Sequence, residues 1–530
     1  MQKRLLLALT LSFIVFIAFD LFMPKTVKPI DSNKTVATQS SAPNVVESSS
    51  APVIQEAAPT TSITPSSASV SSAPITTFKV LTSVESDRFI YSIDELGRIA
   101  QATLLEKKFE IDGKPTKLFN PHWVKPLEIR FSDPKLNDEA LKTAYTTSSS
   151  KVDLSSGSST VTLTQKLSKT TLTKTLSFYE DGHYDLKIEL STPQDYFVMP
   201  GRRPDVDKTM FMVNQGALLK KTTGEIQILE DGDADEVLKG VSVYFASSFD
   251  RYFASILYNF EKPLSVYTQK TPEDDALVFI QGEQNFSLHG YIGPKESDVL
   301  KSLNPQLVDA IEYGMMTFFA KPLFHLLEWL HDLVGNWGWA IVLLTILIKL
   351  VLFPLAYKGM MSMQKLKDLA PQMKEIKEKY GKDPQKMNMK MMDMYKKEGA
   401  NPMGGCLPML MQIPIFFAIY RVLINAVELE GAAWIFWIEN LALKDPWFIL
   451  PILMGASMWY QQKITPNTMT DPMQQKIFQW LPVVMTVFFV TFPAGLVLYW
   501  LVNNLFTIAQ QFIINAAYEK QKAIKLASQR

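Results

Sequence analysis

Trp339-Ala340-Ile341-Val342-Leu343-Leu344-Thr345-Ile346-Leu347-Ile348-Lys349-Leu350-Val351-Leu352-Phe353-Pro354-Leu355 sets one cation in an otherwise apolar run. Extended to Trp337 and Tyr357, the run is long enough for a transmembrane helix with an aromatic anchor at each end. At about 1.5 Å per residue, Lys349 then lies roughly 18 Å from the Trp337 end and roughly 12 Å from the Tyr357 end. Two readings compete. Either the ammonium snorkels to the nearer surface, or it faces a polar cavity inside the membrane. The lysine stem reaches only about 6 Å. Thr345 stands one turn earlier on the same face, and the balance favours the cavity.

Working outward, 530 residues allow several domains, and 53 Lys and Arg against 53 Asp and Glu give a zero net charge that conceals a segregated distribution. The single cysteine, Cys406, excludes an intramolecular disulfide. The histidines at 122, 183, 289, 325 and 331 lack metal-ligand spacing. There is no phosphate-binding loop and no nucleophile elbow. No catalytic residue, metal or cofactor is therefore expected, and the chain does not read as an enzyme.

At the N-terminus Lys3 and Arg4 precede an apolar stretch to Phe22, which is either a signal peptide or an anchor. Bulky residues from Phe19 to Met23 disfavour a cleavage site, so 1–23 is expected to be a transmembrane anchor with its basic end in the cytoplasm. Residues 24–77, rich in Ser, Thr, Pro and Ala, read as a disordered linker. Over 78–305 the apolar period becomes two, as in His183-Tyr184-Asp185-Leu186-Lys187-Ile188-Glu189-Leu190. Asp-Gly pairs at 112–113, 181–182 and 231–232 predict hairpins. One large exported all-β sandwich follows. Its acids and histidines form no recognisable paired-carboxylate site.

Residues 322–335 predict a short amphipathic helix opened by Pro322 and closed by Gly335. It either lies on the membrane or packs on the β domain. Transmembrane helix 2 is expected over 336–357. A lysine-rich helical hairpin follows over 358–400, with Met363, Leu366, Leu369, Met373 and Ile376 in helical register and a turn at Gly381-Lys382-Asp383-Pro384. Its excess of lysine places it in the cytoplasm. Its methionines either fill a core or form an adaptable contact surface, and its lysines face solvent, lipid headgroups or ribosomal RNA.

Residues 401–517 hold transmembrane helices 3 to 6. Pro402, Pro408 and Pro414 recur every six residues beside Gly404, Gly405 and Cys406, and Gln412 adds an amide at membrane depth. Gln412 is either a helix-packing contact or a partner of Thr345 and Lys349. Trp447 to Gln461 and Ile477 to Phe492 are crossings of roughly 15 residues, shorter than the usual ~20, which favours a thinned bilayer. After the turn at Pro493 and Gly495, the last helix carries Tyr499, Trp500, Asn503, Asn504, Thr507, Gln510 and Gln511. A basic tail over 518–530 returns the C-terminus to the cytoplasm.

Asn401-Pro402-x-Gly404-Gly405-Cys406-x-Pro408-x-x-x-Gln412-x-Pro414-Ile415-Phe416, Asp471-Pro472-Met473-Gln474-Gln475-Lys476 and Phe492-Pro493-x-Gly495-Leu496-x-Leu498-Tyr499 resemble the YidC/Oxa/Albino family of membrane protein insertases in its Gram-negative form. The resemblance covers nearly the whole chain. It implies a multi-domain membrane protein: an α-helical five-span insertase core, an N-terminal anchor helix and a large exported β-supersandwich in the periplasm. It further implies a multi-pass inner-membrane protein with both termini cytoplasmic. The core is expected to hold a hydrophilic, positively charged substrate groove formed by Lys349, Thr345, Gln412, Tyr499 and Trp500, open to cytoplasm and lipid. Relatives carry an arginine where this chain has Lys349, so the charge is kept while the bidentate fork is lost.

The implied partners are nascent membrane proteins, the lipid bilayer and the Sec translocon with its accessory subunits. The ribosome and the signal recognition particle or its receptor would be met through the hairpin and tail. A secondary transporter or channel is the alternative reading of a buried cation among proline-broken helices. Such a protein would show inverted repeats, and none is visible here. An exported carbohydrate enzyme on an anchor would leave five spans without a purpose.

Overall fold

The computed structural model describes residues 78–155, 157–206, 213–232, 234, 237–398, 407–465 and 472–528. The anchor expected over 1–23, the linker over 24–77, and Pro402, Gly404, Gly405 and Cys406 lie outside the described residues. Alternation builds the β domain. Ser158–Lys166, Thr171–Tyr179 and His183–Leu190 are successive antiparallel neighbours, and each buries every second side chain, such as Leu172, Leu176 and Phe178. Asn285–Pro294 and then Phe253–Tyr258 extend this sheet, which has thirteen strands among the described residues.

A five-stranded sheet that includes Val80–Glu85, Phe89–Asp94 and Ile99–Leu104 covers it. Tyr91 of the smaller sheet lies 6.0 Å from Phe178, ring to ring, and donates to the Gly182 carbonyl at 3.2 Å. Two inner faces thus meet as a sandwich. The turn at Asp181-Gly182 closes a hairpin as expected. The one at Asp231-Gly232 does not. Ile226–Glu230 pairs back onto Gly216–Lys221, so its hairpin turn lies at 222–225.

From Thr317 onwards the described residues form eight α-helices, labelled α1 to α8. α1 (Thr317–Val334) buries Phe324, Leu327 and Leu330. It packs on α2 (Trp337–Val351) and α5 (Leu407–Asn425), a course that neither expectation for it named. Pro322 lies inside α1 rather than opening it, because the helix begins at Thr317. Gly335 ends it with φ 66°, a left-handed position that suits glycine. Asn336 then caps α2 by accepting from Trp339 N at 3.1 Å.

The helix expected over 336–357 is two helices. α2 stops at Val351, α3 (Phe353–Tyr380) starts after Leu352, and the two are bent by 64°. Pro354 is the physical reason, since it has no N–H to offer the carbonyl four residues back. The hairpin is α3 with α4 (Pro384–Lys397), and Leu366, Leu369 and Met394 form its core. Met389 and Met392 remain exposed, so methionines stand both in its core and on its surface. α6 (Ile449–Ile464), α7 (Pro472–Phe489) and α8 (Ala494–Ser528) complete the set. Among the described residues one helix, Ala494–Ile524, is by itself long and apolar enough to cross a membrane; the bent pair α2 and α3 makes a second if it counts as one span.

The β domain is fastened to the end of α5 and to the connection between α5 and α6. Arg251 Nε donates to the Ile424 carbonyl at 2.5 Å, and Glu428 Oε1 accepts from Ser297 N at 3.0 Å. Gly431, at φ 69°, lets the chain approach Lys108 more closely than a side chain would permit.

Inside the sandwich Lys174 is fully buried. Its ammonium donates to the Gly97 and Leu127 carbonyls at 2.9 and 2.8 Å and sits 4.9 Å over the Tyr145 ring. Burial pushes its pKa down to about 7. The unfolded chain, with an ordinary lysine value near 10.4, therefore binds a proton that the folded chain releases between pH 7 and pH 10. Stability from this group is full above the unfolded value and is lost as pH falls towards 7. Lys174→Met removes that dependence. Thermal melts of parent and variant are expected to diverge in the parent's favour as pH is raised from 7 to 10; parallel melts would refute the linkage.

Candidate functional site

With α2 ending at Val351, Lys349 stands in its last turn, where unpaired carbonyls carry partial negative charge that favours a cation. Its Nζ donates to Thr507 Oγ1 at 3.0 Å. The Thr507 hydroxyl donates onward to the Asn503 main-chain carbonyl at 2.7 Å. Asn503 Oδ1 in turn accepts from Gln412 Nε2 at 2.8 Å. One polar chain thus joins α2, α8 and α5.

The cleft between these helices is narrow, with room for about one water molecule. Thr345, Lys349, Gln412, Tyr499 and Asn503 form its polar wall, and Ile348, Leu352 and Ile415 its apolar one. Thr345 is 1% exposed and donates to the Ile341 carbonyl at 2.7 Å, so its oxygen presents only acceptor capacity to the cleft. Among the described residues Lys349 has no carboxylate partner. An ammonium carries three N–H groups, and Thr507 takes one. The site is therefore a half-buried cation with spare donors, a chemistry that suits an acidic or carbonyl-bearing group.

The structure brings four of the five expected groove residues, Lys349, Thr345, Gln412 and Tyr499, to this cleft. Trp500 does not line it. Its ring meets Phe416 edge-on at 4.7 Å and lies 5.0 Å from Phe489, packing α8 against α5 and α7. Pro408 is the second residue of α5, and Pro414 lies inside that helix. Pro493 bridges Lys444, and Gly495 N donates to the Leu441 carbonyl at 2.9 Å, fixing the entry to α8. Among the described residues no three His, Cys, Asp or Glu side chains converge as metal ligands.

Residues 329–522 match the family model described as 60Kd inner membrane protein, and residues 210–326 match the YidC periplasmic domain. The chain is 47% identical over 527 residues to membrane protein insertase YidC of Campylobacter jejuni, spanning 98% of this chain and 97% of that one. The chain belongs to the YidC family. The YidC of Wolinella succinogenes is 48% identical over 534 residues, spanning 98% of this chain and 96% of its own. A YidC insertase crystal structure with the first transmembrane domain resolved aligns over 82% of this chain and 94% of its own, at 20% identity and a TM-score of 0.37. Membrane protein insertase, the name these YidC relatives carry, describes a non-catalytic activity.

Two cleft-side residues of this YidC-family chain, Asn503 and Thr507, are absent from the expected groove. Their signal was the spacing itself. Tyr499, Asn503, Thr507, Gln511 and Asn515 recur every fourth residue and so form one row that winds slowly round α8. Beyond the cleft the winding of this row brings it to α3. Gln511 Nε2 donates to Asn515 Oδ1 at 2.6 Å, Gln364 donates to Asn515, and Asp368 accepts from Tyr518 at 2.9 Å and pairs with Lys522 at 2.7 Å.

One member of this region is unsatisfied. Gln510 is 2% exposed, and its Nε2 has no hydrogen-bond partner among the described residues. Gln510→Leu removes a desolvated donor and is expected to stabilise the protein by about 1 kcal/mol. The readout is a higher thermal midpoint in detergent. A lower midpoint would show that the amide is hydrogen-bonded.

Proposed function

We propose that the chain inserts integral proteins into the bacterial inner membrane and assists their folding, receiving the polar segment of each client at Lys349. The observation that carries this reading is the ammonium of Lys349 without a carboxylate, set in a wall of hydroxyl and amide groups. Moving a polar or acidic side chain through hydrocarbon costs several kcal/mol. A cation and donors placed within the bilayer lower that cost for as long as the segment rests there. The client's own apolar stretch then leaves sideways into lipid, driven by its hydrophobicity.

In this reading the groove opens to the cytoplasm and to lipid, both termini are cytoplasmic, and the β domain is periplasmic. The five-span core acts alone or with the Sec translocon. The lysine-rich hairpin and basic tail meet the ribosome, the signal recognition particle or its receptor through their positive charge.

The decisive variants are Lys349→Ala and Lys349→Arg in proteoliposomes. A client with an acidic tail is expected to insert about tenfold less well with Lys349→Ala, a loss equivalent to about 1.4 kcal/mol. Lys349→Arg should insert it as the parent does, because the charge is kept. A client with a neutral tail should respond less. Unchanged insertion of the acidic-tailed client by Lys349→Ala would overturn the assignment.

A further inference from the structure

The connection between α5 and α6 carries a second feature, separate from the cleft. Trp437 is stacked between Phe436 and Trp447, at 6.1 Å from each and with ring planes 15° and 6° apart. Phe436 is 87% exposed and Trp447 65% exposed. Phe436 and Phe448 have φ of 53° and 57°, the left-handed region that side chains other than glycine's seldom occupy. Backbone strain that holds a phenyl ring outwards needs a cause at the ring.

The pad is clamped from within. Asp445 is 1% exposed and accepts from Trp437 Nε1 at 3.0 Å, Trp447 N at 3.0 Å and Leu450 N at 2.6 Å. Its charge is thereby directed inwards, and the outer surface is left to the rings. The loop is tied to the start of α2, since Asn336 Nδ2 donates to the Ala433 carbonyl at 3.0 Å and Trp339 meets Trp434 edge-on at 5.7 Å. One turn beyond Phe448 the exposed apolar face of α6 begins with Ile452 and Leu453, so the pad continues directly into a helix surface of the same chemistry.

We propose that Phe436, Trp437 and Trp447 seat in the headgroup–acyl boundary of the phospholipid bilayer on the side away from the α3–α4 hairpin, and so set the depth of Lys349. Indole and phenyl rings favour that boundary, where an apolar face meets lipid and a polar edge meets water. Here the Trp437 N–H is already satisfied by Asp445, and Glu439 and Lys444 lie exposed in the same loop. Twelve residues of helix separate Trp337 from Lys349, so a loop anchored beside Trp337 holds the ammonium about 18 Å away along α2. This inference rests on the membrane placement proposed above.

The test uses the full chain carrying Cys406→Ser and one new cysteine, Phe436→Cys, Trp447→Cys, Val483→Cys or Lys301→Cys. Each is labelled with an environment-sensitive fluorophore and reconstituted in phosphatidylethanolamine–phosphatidylglycerol vesicles. The vesicles contain lipids spin-labelled near the headgroup or deep in the chain. Labels at 436 and 447 are expected to be quenched roughly twofold more by the shallow quencher than by the deep one, as interfacial side chains are. The label at 483, on the exposed face of α7, should favour the deep quencher, and the label at 301 should respond to neither.

Unquenched labels at both 436 and 447 beside a quenched 483 would overturn the proposal. If they were also blue-shifted, the pad would be covered by a second copy of the chain. Loss of quenching at 483 as well would overturn the membrane placement itself.

Discussion

A cation held in a low-dielectric region without a counter-ion has to be stabilised by dipoles, and the helical part of the molecule is arranged to supply them. Lys349 receives the carbonyl end of α2, the Thr507 hydroxyl and, one step removed, the Asn503 and Gln412 amides. Each source comes with a requirement. α2 must end within a residue or two of the lysine, α8 must present a polar group every fourth residue, and α5 must bring Gln412 within 2.8 Å of Asn503. Pro354 fixes where α2 stops, and Pro493 with Gly495 fixes where α8 starts. A carboxylate would have been the simpler neutraliser, but it would have consumed the charge.

The comparison with Lys174 sharpens the point. Both lysines are removed from bulk water, yet they are treated oppositely. Lys174 is closed in by two carbonyls and an aromatic face, and nothing can approach it. Among the described residues Lys349 has one hydrogen-bond partner, and it borders the cleft. Burial alone is therefore no guide to function; what separates the two is the number of donors left over. The same contrast distinguishes Trp500, whose ring is absorbed by Phe416 and Phe489, from Tyr499, which faces the cleft one residue earlier.

Much of this was legible in the sequence, for reasons tied to particular residues. Alternation exposed the strands around His183–Leu190 because one face of a sheet must be apolar. Lys349 stood out because a charge in an apolar helix is costly. The helix break at Leu352 was hidden, since the apolar run passes through it unchanged and only Pro354 marks it. Pro322 misled in the other direction: a proline that fits a first turn sits six residues into α1. The hairpin after Ile226–Glu230 was misplaced because Asp231-Gly232 is a strong turn signal, whereas the turn actually used, ending at Gly224-Glu225, is a weaker one. Asn503 and Thr507 were visible as polar residues, but only the position of Lys349 across from them shows that they act as a pair.

The bend at Leu352 has a mechanical side. α3 has 28 residues and is about 42 Å long at 1.5 Å per residue. It starts from the same point where α2 delivers Lys349. A tilt of only about 5° at that hinge would carry the far end of α3 through roughly 4 Å, with the length again taken from the helix rise. The hairpin is thus a long lever whose fulcrum borders the cleft: Leu352 is both the hinge residue and part of the cleft wall. Gln364 and Asp368, bonded to Asn515, Tyr518 and Lys522 of α8, brace the lever near that fulcrum, so a displacement at its tip reaches the cleft only where those bonds give.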